Sequence, residues 1–359
     1  MDEQLFSGSL VLTGGGTGGH YFPAVALAEG AQARWPGRTV AFVGAQRGIE
    51  GRLLPQSPWP HLLLDVEGFV GRSPWKTARA AYKLALARHR LKAIWQRHRP
   101  WAVAGTGGYG AAPALLAARA LGIPFFLHES NAQPGALIKL LAPGAAGVWC
   151  GMDAVRTHLP GARCLLAGTP VRSAFLRDFR PLASALAPFR LLVLGGSGGA
   201  RALNAAVLAV APGLLERFPL WDILHQTGPD GYRALAGVPL HPRHRIAPFL
   251  DGMDRELEAA SLVLTRSGAS TCAELKACGR PALMVPMPGS AGDHQVMNAR
   301  AMVDEGRAVL VLQGPALEQD LLEQAARLMA DSGLLAGLAH PEPNRAVAIC
   351  LEDLGARLG

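Results

Sequence analysis

The sequence has 359 residues, of which 50% are hydrophobic and 17% are charged. Such a chain is long enough for two domains of ordinary size and has the composition of a globular protein rather than a disordered one. The first residues, "MDEQLFSGSL", lack the parts of a signal segment, and glycines and a proline interrupt the charge-free window 100–118. We therefore expect neither secretion nor a membrane-spanning helix.

Charge and cysteine content indicate where the protein works and what it meets. The formal net charge is +8, and nine lysines and arginines lie within residues 72–99. Such a basic block indicates an anionic partner, either nucleic acid or a membrane surface, unless it is only a solvated helix face. The five cysteines form no C-x-x-C pair. They predict reduced thiols in a cytosolic protein and no metal site.

Short apolar runs alternate with helical patterns along the chain, which predicts parallel sheets covered by helices. The predicted strands of the first half are 9–13, 39–44, 101–105, 125–128, 147–150 and 163–167. Those of the second half are 190–195, 221–226, 245–248, 262–265, 282–286 and 308–312. The clearest predicted helices are 22–35, 111–121, 200–218, 271–277 and 293–305.

A break in this alternation predicts a domain boundary. The segment "RPLASALAPF" (180–189) has prolines toward both ends and no strand pattern. We predict an α/β fold of two doubly wound, Rossmann-like domains that face each other across a cleft. Residues 1–180 would form the first domain, 181–340 the second, and 341–359 a C-terminal helix that returns toward the first.

Three glycine-rich turns follow predicted strands. They are "GGGTGGH" (14–20), "GTGGYG" (105–110) and "GGSGGA" (195–200). Turns of this kind lie at the carboxyl ends of parallel strands, where open α/β sheets bind ligands and helix N–H groups bind phosphate. A tight turn without a ligand remains the alternative for any one of them.

Glycine-rich turns also occur in two other classes of nucleotide-binding protein. No G-x-x-x-x-G-K-[ST] motif occurs, which excludes a P-loop nucleotidase. A dinucleotide-binding dehydrogenase places an acid at the end of its second strand, but here that strand ends "FVGAQRG", with Gln46 and Arg47. Since an arginine there suits a 2′-phosphate, an NADP-dependent oxidoreductase stays as an alternative.

Motifs in the second half of the sequence resemble those of a particular class of enzymes. The stretch "TRSGASTCAELKACGRPALMVPMPGSAGDHQVMNA" (265–299) resembles the nucleotide-sugar site of two-domain glycosyltransferases of GT-B architecture. With "GGGTGGH", "HESN" (128–131), "GTPVR" (168–172) and "GGSGGA", the chain resembles the peptidoglycan N-acetylglucosaminyltransferases of that class over essentially its whole length. Ser130 and Gly198 stand where this family more often has glutamine, and Thr169 where it has asparagine.

The resemblance implies a hexosyltransferase that moves GlcNAc from UDP-GlcNAc to the 4-hydroxyl of the muramoyl unit of undecaprenyl-diphospho-muramoyl-pentapeptide. Inversion of the anomeric centre, no cofactor and no nucleic acid partner are expected. The implied location is peripheral, on the cytoplasmic side of the cell membrane, with anionic lipid and proteins of cell-wall synthesis as partners. No Asp-x-Asp, the usual metal holder for a leaving diphosphate, occurs in the chain. We therefore expect a metal-independent reaction.

The resemblance also implies the residues of the site. Those expected to bind UDP-GlcNAc are Thr17, Gly18, Gly19, Asn131, Arg172, Ser197, Leu250, Gly268, Ala269, Ser270, Thr271, Cys272, Ala273, Glu274, Gln295 and Asn298. Among them, Glu274 would accept hydrogen bonds from the ribose hydroxyls and Gln295 would meet the GlcNAc hydroxyls. Gly107, Gly108, Tyr109 and His128 are assigned to the acceptor.

Two residues are candidates for the general base. His20 directly follows the first glycine turn, and a histidine's ordinary pKa near 6.5 suits a base at neutral pH. Glu129 is the only acid between residues 67 and 153 and is the other candidate, or a member of the acceptor site. For both, a purely local hydrogen bond or ion pair remains the alternative.

The basic block predicts a membrane-facing helix. Leu84, Ala87, Leu91 and Ile94 recur at helical spacing and are expected to face the core. A second strip contains Trp75, Lys76, Arg79, Tyr82 and Lys83. Because aromatic side chains surrounded by cations suit anionic headgroups, we predict that this strip contacts the membrane that holds the acceptor lipid.

Overall fold

The computed structural model describes residues 3–68, 73–182, 188–196, 198–290 and 293–359. The chain divides into two compact units. Unit 1 contains Met1–Ser173 and Asn344–Gly359, and unit 2 contains Ala174–Pro343. Both units have helices around a parallel sheet, which confirms the predicted α/β class. Of the predicted linker, residues 183–187 lie outside the described ranges.

Within its described residues, unit 1 has a parallel sheet of seven strands in the order β3-β2-β1-β4-β5-β6-β7. The strands are β1 (Leu10–Thr13), β2 (Val40–Ala45), β3 (His61–Leu64), β4 (Ala102–Gly105), β5 (Phe125–Glu129), β6 (Gly147–Cys150) and β7 (Cys164–Leu166). All residues of β1, β2, β4, β5 and β6 are buried. Because helices cover both faces of the sheet, these strands are continuous apolar runs, which is why the sequence revealed them.

The helices of unit 1 come from both ends of the chain. They are α1 (Gly18–Arg34), α2 (Ile49–Leu53), α3 (Pro74–Arg97), α4 (Ala112–Leu121), α5 (Ala136–Leu141) and, from the C-terminal segment, Ala346–Leu358. Short 3-10 helices cover Glu3–Phe6, Leu54–Gln56, Tyr109–Ala111, Ala142–Gly144, Asp153–His158 and Ser173–Phe175. The prediction began α1 four residues late, since glycines are poor helix formers and conceal its first turn.

Unit 2 has, within its described residues, a parallel sheet of six strands in the order β10-β9-β8-β11-β12-β13. They are β8 (Phe189–Leu194), β9 (Trp221–Gln226), β10 (His244–Ala247), β11 (Leu262–Thr265), β12 (Ala282–Met284) and β13 (Ala308–Leu310). Its helices are α6 (Arg201–Arg217), α7 (Gly228–Ala234), α8 (Met253–Ala259), α9 (Ala269–Cys278), α10 (His294–Asp304), α11 (Leu317–Ala330) and α12 (Ser332–Leu338). The Ala346–Leu358 helix of unit 1 is therefore α13.

All twelve predicted strands are present, and β3 is the one that the sequence missed. It is a four-residue edge strand preceded by Pro58 and Pro60, and its side chains alternate between buried and half-buried. An edge strand with one covered face lacks the continuous apolar run that marks a central strand.

The last helix packs inside unit 1. Val347 and Leu351 of α13 lie against Gly30 of α1, where a Cβ atom would come within 2.3 Å of Val347. Asp353 accepts a hydrogen bond of 2.9 Å from the indole N–H of Trp149 in β6. The chain therefore passes from unit 1 to unit 2 after Ser173 and returns to unit 1 after Pro343. The boundaries predicted from the sequence are residues 180 and 340.

A pair of buried histidines lies in the sheet of unit 2. The rings of His225 on β9 and His244 on β10 stack with their centroids 5.6 Å apart. His225 Nδ1 and His244 Nε2 are buried and have no hydrogen-bond partner among the residues that the structure describes. Burial lowers the pKa of His225 to about 3 and that of His244 to about 4, in each case with a smaller contribution from a neighbouring histidine. Both rings are therefore neutral in the folded protein.

We expect acid to destabilise the protein through this pair. Between pH 6.5 and about 4 the unfolded chain binds protons that the folded chain does not, so the free energy of unfolding falls as the pH falls. From pH 6.5 to 5 the loss is about 2 kcal/mol per histidine. In calorimetry, His244→Phe should flatten this pH dependence, whereas His158→Phe, at an exposed position, should not. An equal slope in all three proteins would contradict the assignment.

Candidate active site

Two glycine turns of unit 1 pack backbone against backbone. The first glycine turn (residues 14–19) follows β1, and the second (105–110) ends β4, the neighbouring strand. Gly15 N donates to Gly107 O at 3.3 Å. A Cβ atom on Gly108 would lie 1.9 Å from Gly15 O, and one on Gly14 would lie 1.8 Å from Thr106 Oγ1. These glycines are therefore required by the contact between the two turns.

A carboxylate that the sequence analysis did not single out fills the first glycine turn. Glu50, in α2, is completely buried. Its oxygens accept hydrogen bonds from Gly16 N at 2.8 and 3.0 Å and from Ala45 N at 3.1 Å. Cβ atoms on four surrounding glycines would come within 2.7 Å of its side chain: Gly15, Gly44, Gly48 and Gly110. An amide of the turn expected to meet a ligand phosphate thus binds a carboxylate of the chain itself.

This arrangement argues against the NADP-dependent alternative. A dinucleotide needs the amides of the first turn for its diphosphate, but Glu50 accepts from Gly16 N. Arg47, the candidate for a 2′-phosphate, lies 3.4 Å from a carboxylate oxygen of Glu67 and 3.8 Å from one of Asp65. Both groups that a dinucleotide would use already have partners within unit 1.

His20 lies where the two turns meet. Its Nδ1 is 2.8 Å from Thr106 O, and Thr106 Oγ1 donates to His20 O at 2.6 Å. A carbonyl oxygen only accepts, so Nδ1 carries the hydrogen and Nε2 of the neutral ring carries the lone pair. Cβ atoms on Gly107 and Gly108 would come within about 3 Å of the ring. The half-buried ring is held in the tautomer that a base acting through Nε2 requires.

Glu129 is hydrogen-bonded within its own loop. It ends β5 and is 4% exposed. Its oxygens accept from Asn131 N at 3.0 Å, Asn131 Nδ2 at 3.1 Å and Gly135 N at 2.9 Å. These contacts shape the 130–135 loop, and they favour a positioning role for Glu129 over that of a general base.

His128 supports the segment that carries Arg172. Its Nε2 donates to Gly168 O at 3.0 Å, and Ser130 Oγ contacts its Nδ1 at 3.4 Å. Burial lowers the pKa of His128, so the ring is neutral. Arg172 follows in the same segment, with its guanidinium carbon 4.4 Å from the ring centre of Phe22. Direct contact of His128 with the acceptor stays a prediction, while its observed contacts are all internal.

The third glycine turn (residues 195–200) follows β8 in unit 2. Gly199, at φ +77°, faces the end of β9, and a Cβ atom there would lie 2.2 Å from Thr227 O. Gly196 and Gly198 are exposed, and a Cβ atom on either would contact nothing within 4 Å. Of the described residues of this turn, Gly196 and Gly198 are therefore uncrowded, in contrast to Gly14, Gly15 and Gly16 of the first turn. Ser197, predicted to bind the donor, lies outside the described residues.

Buried side chains at the end of β9 hold this turn. Gln226 Nε2 donates to Gly196 O at 3.2 Å, and its Oε1 accepts from Leu250 N at 3.1 Å. Asn204 Nδ2 donates to Thr227 O at 2.9 Å. Gln226 therefore joins the third glycine turn to the predicted base-binding Leu250. The sequence analysis missed Gln226 and Asn204 because neither belongs to a motif it used.

Thr17, the N-cap of α1, and Gly18 and Gly19, in its first turn, lie in unit 1. The other predicted donor residues lie around α9 and α10 in unit 2. Gly268 is the N-cap of α9, so residues 269–271 form its first turn, where N–H groups lack helical partners. Glu274 is half-buried on the same helix. Ser267 Oγ donates to Gln295 O at 2.7 Å, and Asn298 Nδ2 donates to Ser267 O at 3.0 Å. Burial raises the pKa of the Cys272 thiol to about 12, so it is not a nucleophile.

Gln295 and Asp293 shape the entry to α10. Gln295 Oε1 accepts from Met287 N at 2.9 Å. Asp293 is the N-cap of α10 and, among the described residues other than glycine, is the one with a positive φ, +50°. A left-handed conformation at aspartate is uncommon and costs energy, and such positions concentrate at binding loops.

The basic face of α3 is partly neutralised within unit 1. Leu84 is half-buried, while Ala87, Leu91 and Ile94 are buried, as predicted. Trp75, Tyr82 and Leu86 are 81%, 69% and 58% exposed. Lys83 Nζ lies 2.8 Å from oxygens of both Asp65 and Glu67, and Arg79 lies 2.9 Å from Glu67. Arg79 and Lys83 therefore have acidic partners within unit 1, which the sequence analysis did not predict. Lys76 is exposed near the start of the helix.

Across the parts of the chain that the structure describes, no helix is both long and apolar enough to cross a membrane. In the same residues, no group of three or more histidine, cysteine, aspartate or glutamate side chains is arranged to hold a metal ion.

Known proteins match the chain along most of its length. Residues 10–149 match the glycosyltransferase family 28 N-terminal domain, and residues 190–340 match the glycosyltransferase family 28 C-terminal domain. A Syntrophotalea carbinolica protein is 40% identical over 90% of this chain and 92% of its own. It is named UDP-N-acetylglucosamine--N-acetylmuramyl-(pentapeptide) pyrophosphoryl-undecaprenol N-acetylglucosamine transferase. A protein of the same name from Anaeromyxobacter sp. (strain K) is 34% identical over 98% of this chain and 94% of its own.

The fold agrees with these matches. The crystal structure of Acinetobacter baumannii MurG superimposes with a TM-score of 0.70 at 28% identity, over 97% of this chain and 99% of that one. The two parallel-sheet α/β domains have the GT-B architecture, and the two family matches make the chain a glycosyltransferase. The chain belongs to glycosyltransferase family 28. The resemblance inferred from the motifs is confirmed.

We expect the contact between the two glycine turns to show in stability. Gly108 and Gly122 have φ of +78° and +60°, but only at Gly108 would a Cβ atom meet backbone. Gly122→Ala should cost about 1–2 kcal/mol, the penalty of the left-handed conformation. Gly108→Ala should cost about 1–3 kcal/mol more, because the turns must separate. Denaturant unfolding measures both, and equal losses would contradict the crowding of Gly108.

Proposed function

We propose that this protein transfers GlcNAc from UDP-GlcNAc to the 4-hydroxyl of the muramoyl unit of undecaprenyl-diphospho-muramoyl-pentapeptide, in peptidoglycan synthesis. The observation that carries the proposal is the coverage of the match. Relatives named for this transfer align with 90–98% of the chain, across both units. The motif residues lie at the strand ends of each unit, where parallel sheets bind ligands.

The proposed reaction is an inverting displacement at the anomeric carbon. The acceptor oxygen attacks that carbon, its proton passes to Nε2 of His20, and the bond to UDP breaks, so that the leaving diphosphate takes the electron pair. His20 is preferred as the base because Nδ1–H donates to Thr106 O and leaves the lone pair on Nε2. Glu129 is the weaker candidate, since its oxygens accept three N–H groups of its own loop.

We infer that the leaving diphosphate is stabilised without a metal. The chain has no Asp-x-Asp motif. The open third glycine turn precedes α6, and the first turn of α9 presents N–H groups, so both can bind an anion. Arg172 stays the predicted cation for the diphosphate and Glu274 the predicted partner of the ribose.

Substitution of His20 should lower kcat, whereas substitution of Glu274 should weaken the affinity for UDP-GlcNAc. His20→Ala should lower kcat by roughly 10²-fold or more, the scale of losing a general base. Its affinity for UDP-GlcNAc should stay unchanged. Glu274→Ala should weaken that affinity by about 1–3 kcal/mol, the value of hydrogen bonds to a charged group. Titration calorimetry and steady-state kinetics give the two quantities.

Control variants for this pair are His158→Ala and Glu318→Ala, both at exposed positions. All measurements are repeated with EDTA, which should change neither affinity nor kcat. If His20→Ala loses donor affinity as Glu274→Ala does, the assignment of the base is wrong. If EDTA abolishes transfer and Mg²⁺ restores it, the metal-independent reaction is wrong.

We infer that the protein works peripherally at the cytoplasmic face of the membrane, where α3 meets the lipid. The proposed acceptor has a long polyprenyl tail that stays in the bilayer, so the enzyme must come to the surface. Trp75, Tyr82 and Leu86 expose apolar area on one face of α3, with Lys76 beside them. An aromatic strip with cations suits anionic headgroups. Partner proteins of cell-wall synthesis stay a prediction.

Vesicle binding tests this strip. Wild-type protein should bind vesicles that contain anionic lipid and bind neutral vesicles far less, with binding weakened by salt, since each cation near the surface adds about 1 kcal/mol. The triple variant Trp75→Ser, Tyr82→Ser, Lys76→Glu should lose this binding in flotation assays and keep its affinity for UDP-GlcNAc. It leaves Arg79 and Lys83 in place, because both pair with the buried Glu67.

The matched control is Leu220→Ser with Tyr232→Ser, which removes two exposed apolar side chains of unit 2. It should bind vesicles as the wild type does. Full vesicle binding by the triple variant would assign the membrane contact to another surface.

A further inference from the structure

Glu50 has no place in the proposed reaction, yet it lies at the junction of three strand ends. It contacts the turn after β1 through Gly16 N and the end of β2 through Ala45 N. A Cβ atom on Gly110, just after β4, would lie 2.6 Å from its Oε1. Among the described residues, no lysine or arginine forms an ion pair with this carboxylate. Backbone amides alone hold it.

Its contacts lead directly to His20. Glu50 holds Gly16 N, and Gly16 has a φ of +91° that places the tip of the first glycine turn. The preceding residue, Gly15, bonds Gly107 O and presses its own carbonyl against Gly108. Gly107 and Gly108 form the surface on which the ring of His20 rests. Three contacts thus connect the carboxylate to the imidazole.

A negative charge explains this cradle better than packing alone. Transferring an ionised carboxylate out of water is costly unless donors compensate it. The carboxylate oxygens receive donors from Gly16 and Ala45, while glycines at four neighbouring positions let the backbone approach. A neutral side chain of the same size would leave these amides without an equal acceptor.

We propose that Glu50 is a positioning residue for the transfer reaction: its carboxylate acts as an internal anion that locks the two glycine turns together and so aims Nε2 of His20. The inference rests on the proposed function for its kinetic consequence. It also means that the N–H group of Gly16 is occupied by the chain itself and does not hold a ligand phosphate.

Chemical rescue tests the proposal. Glu50→Ala leaves a cavity lined by the amides of Gly16 and Ala45, which formate fits. Its kcat should fall by about tenfold or more, since small misplacements of a catalytic group are costly. The KM for UDP-GlcNAc should change by a smaller factor than kcat, because the predicted donor residues around α9 lie in unit 2 and only Thr17, Gly18 and Gly19 adjoin the turn that Glu50 holds. Formate should restore kcat, and chloride at equal ionic strength should not.

A spectroscopic readout makes the test independent of the activity. Long-range ¹H–¹⁵N spectra of the wild type should show His20 as the Nδ1–H tautomer. In Glu50→Ala this signal should broaden or shift, and formate should return it. The control Glu318→Ala should change neither kcat nor the spectrum. If the wild type transfers no sugar, the proposed function fails, and the spectra still decide the role of Glu50.

Three outcomes would overturn the proposal. The first is a kcat of the Glu50→Ala variant that equals the wild-type value. The second is a loss of kcat that formate does not reverse, together with an unchanged His20 spectrum. If Glu50→Ala does not fold, Glu50→Gln, which keeps the volume, should show the same fall in kcat with a smaller change in the KM for UDP-GlcNAc. The third outcome is that neither variant folds, which would mean that Glu50 serves folding alone.

Discussion

The arrangement of unit 1 depends on one contact, the carboxylate of Glu50 against the amides of Gly16 and Ala45. Three neighbouring strands end at this carboxylate, and every segment that follows them must approach it closely. Glycine is needed there because a Cβ atom would overlap the carboxylate or the opposite turn. Nδ1 and the carbonyl oxygen of His20 both have hydrogen-bond partners in Thr106. For the proposed reaction, such preorganisation means that His20 does not have to reorient when charge develops.

Unit 2 uses the same sequence signature in a different way. Gly196 and Gly198 of its glycine turn are exposed and uncrowded. The side-chain amide of Gln226 holds this turn by donating a hydrogen bond to Gly196 O. Uncrowded glycines let an external anion approach the backbone, whereas the Gly16 amide of the first turn already binds a carboxylate of the chain. Glycine-rich turns after parallel strands therefore indicate where a site is without saying which turn meets the phosphate.

Most of the fold could be predicted from the sequence, and less of the site. Buried parallel strands are continuous apolar runs, so β6, β9 and β11 were predicted with the bounds they have. The edge strand β3 lacks that pattern. Motif residues such as His20 were found because they adjoin glycine turns. Glu50 could not be found, since its role arises from three strand ends that meet only in the fold. The partners of Arg79 and Lys83 were missed for the same reason, because Glu67 lies far from them along the sequence.

The position of α13 has a consequence for the order of folding during synthesis. Unit 2 is one uninterrupted stretch, Ala174–Pro343, placed within the chain of unit 1. All of its residues leave the ribosome before α13 does, so unit 2 can reach its native fold before that helix is available. Unit 1 must wait for its last helix, with the surface of α1 around Gly30 and the indole of Trp149 uncovered until then. The half of the protein that is translated first is therefore the half that finishes folding last.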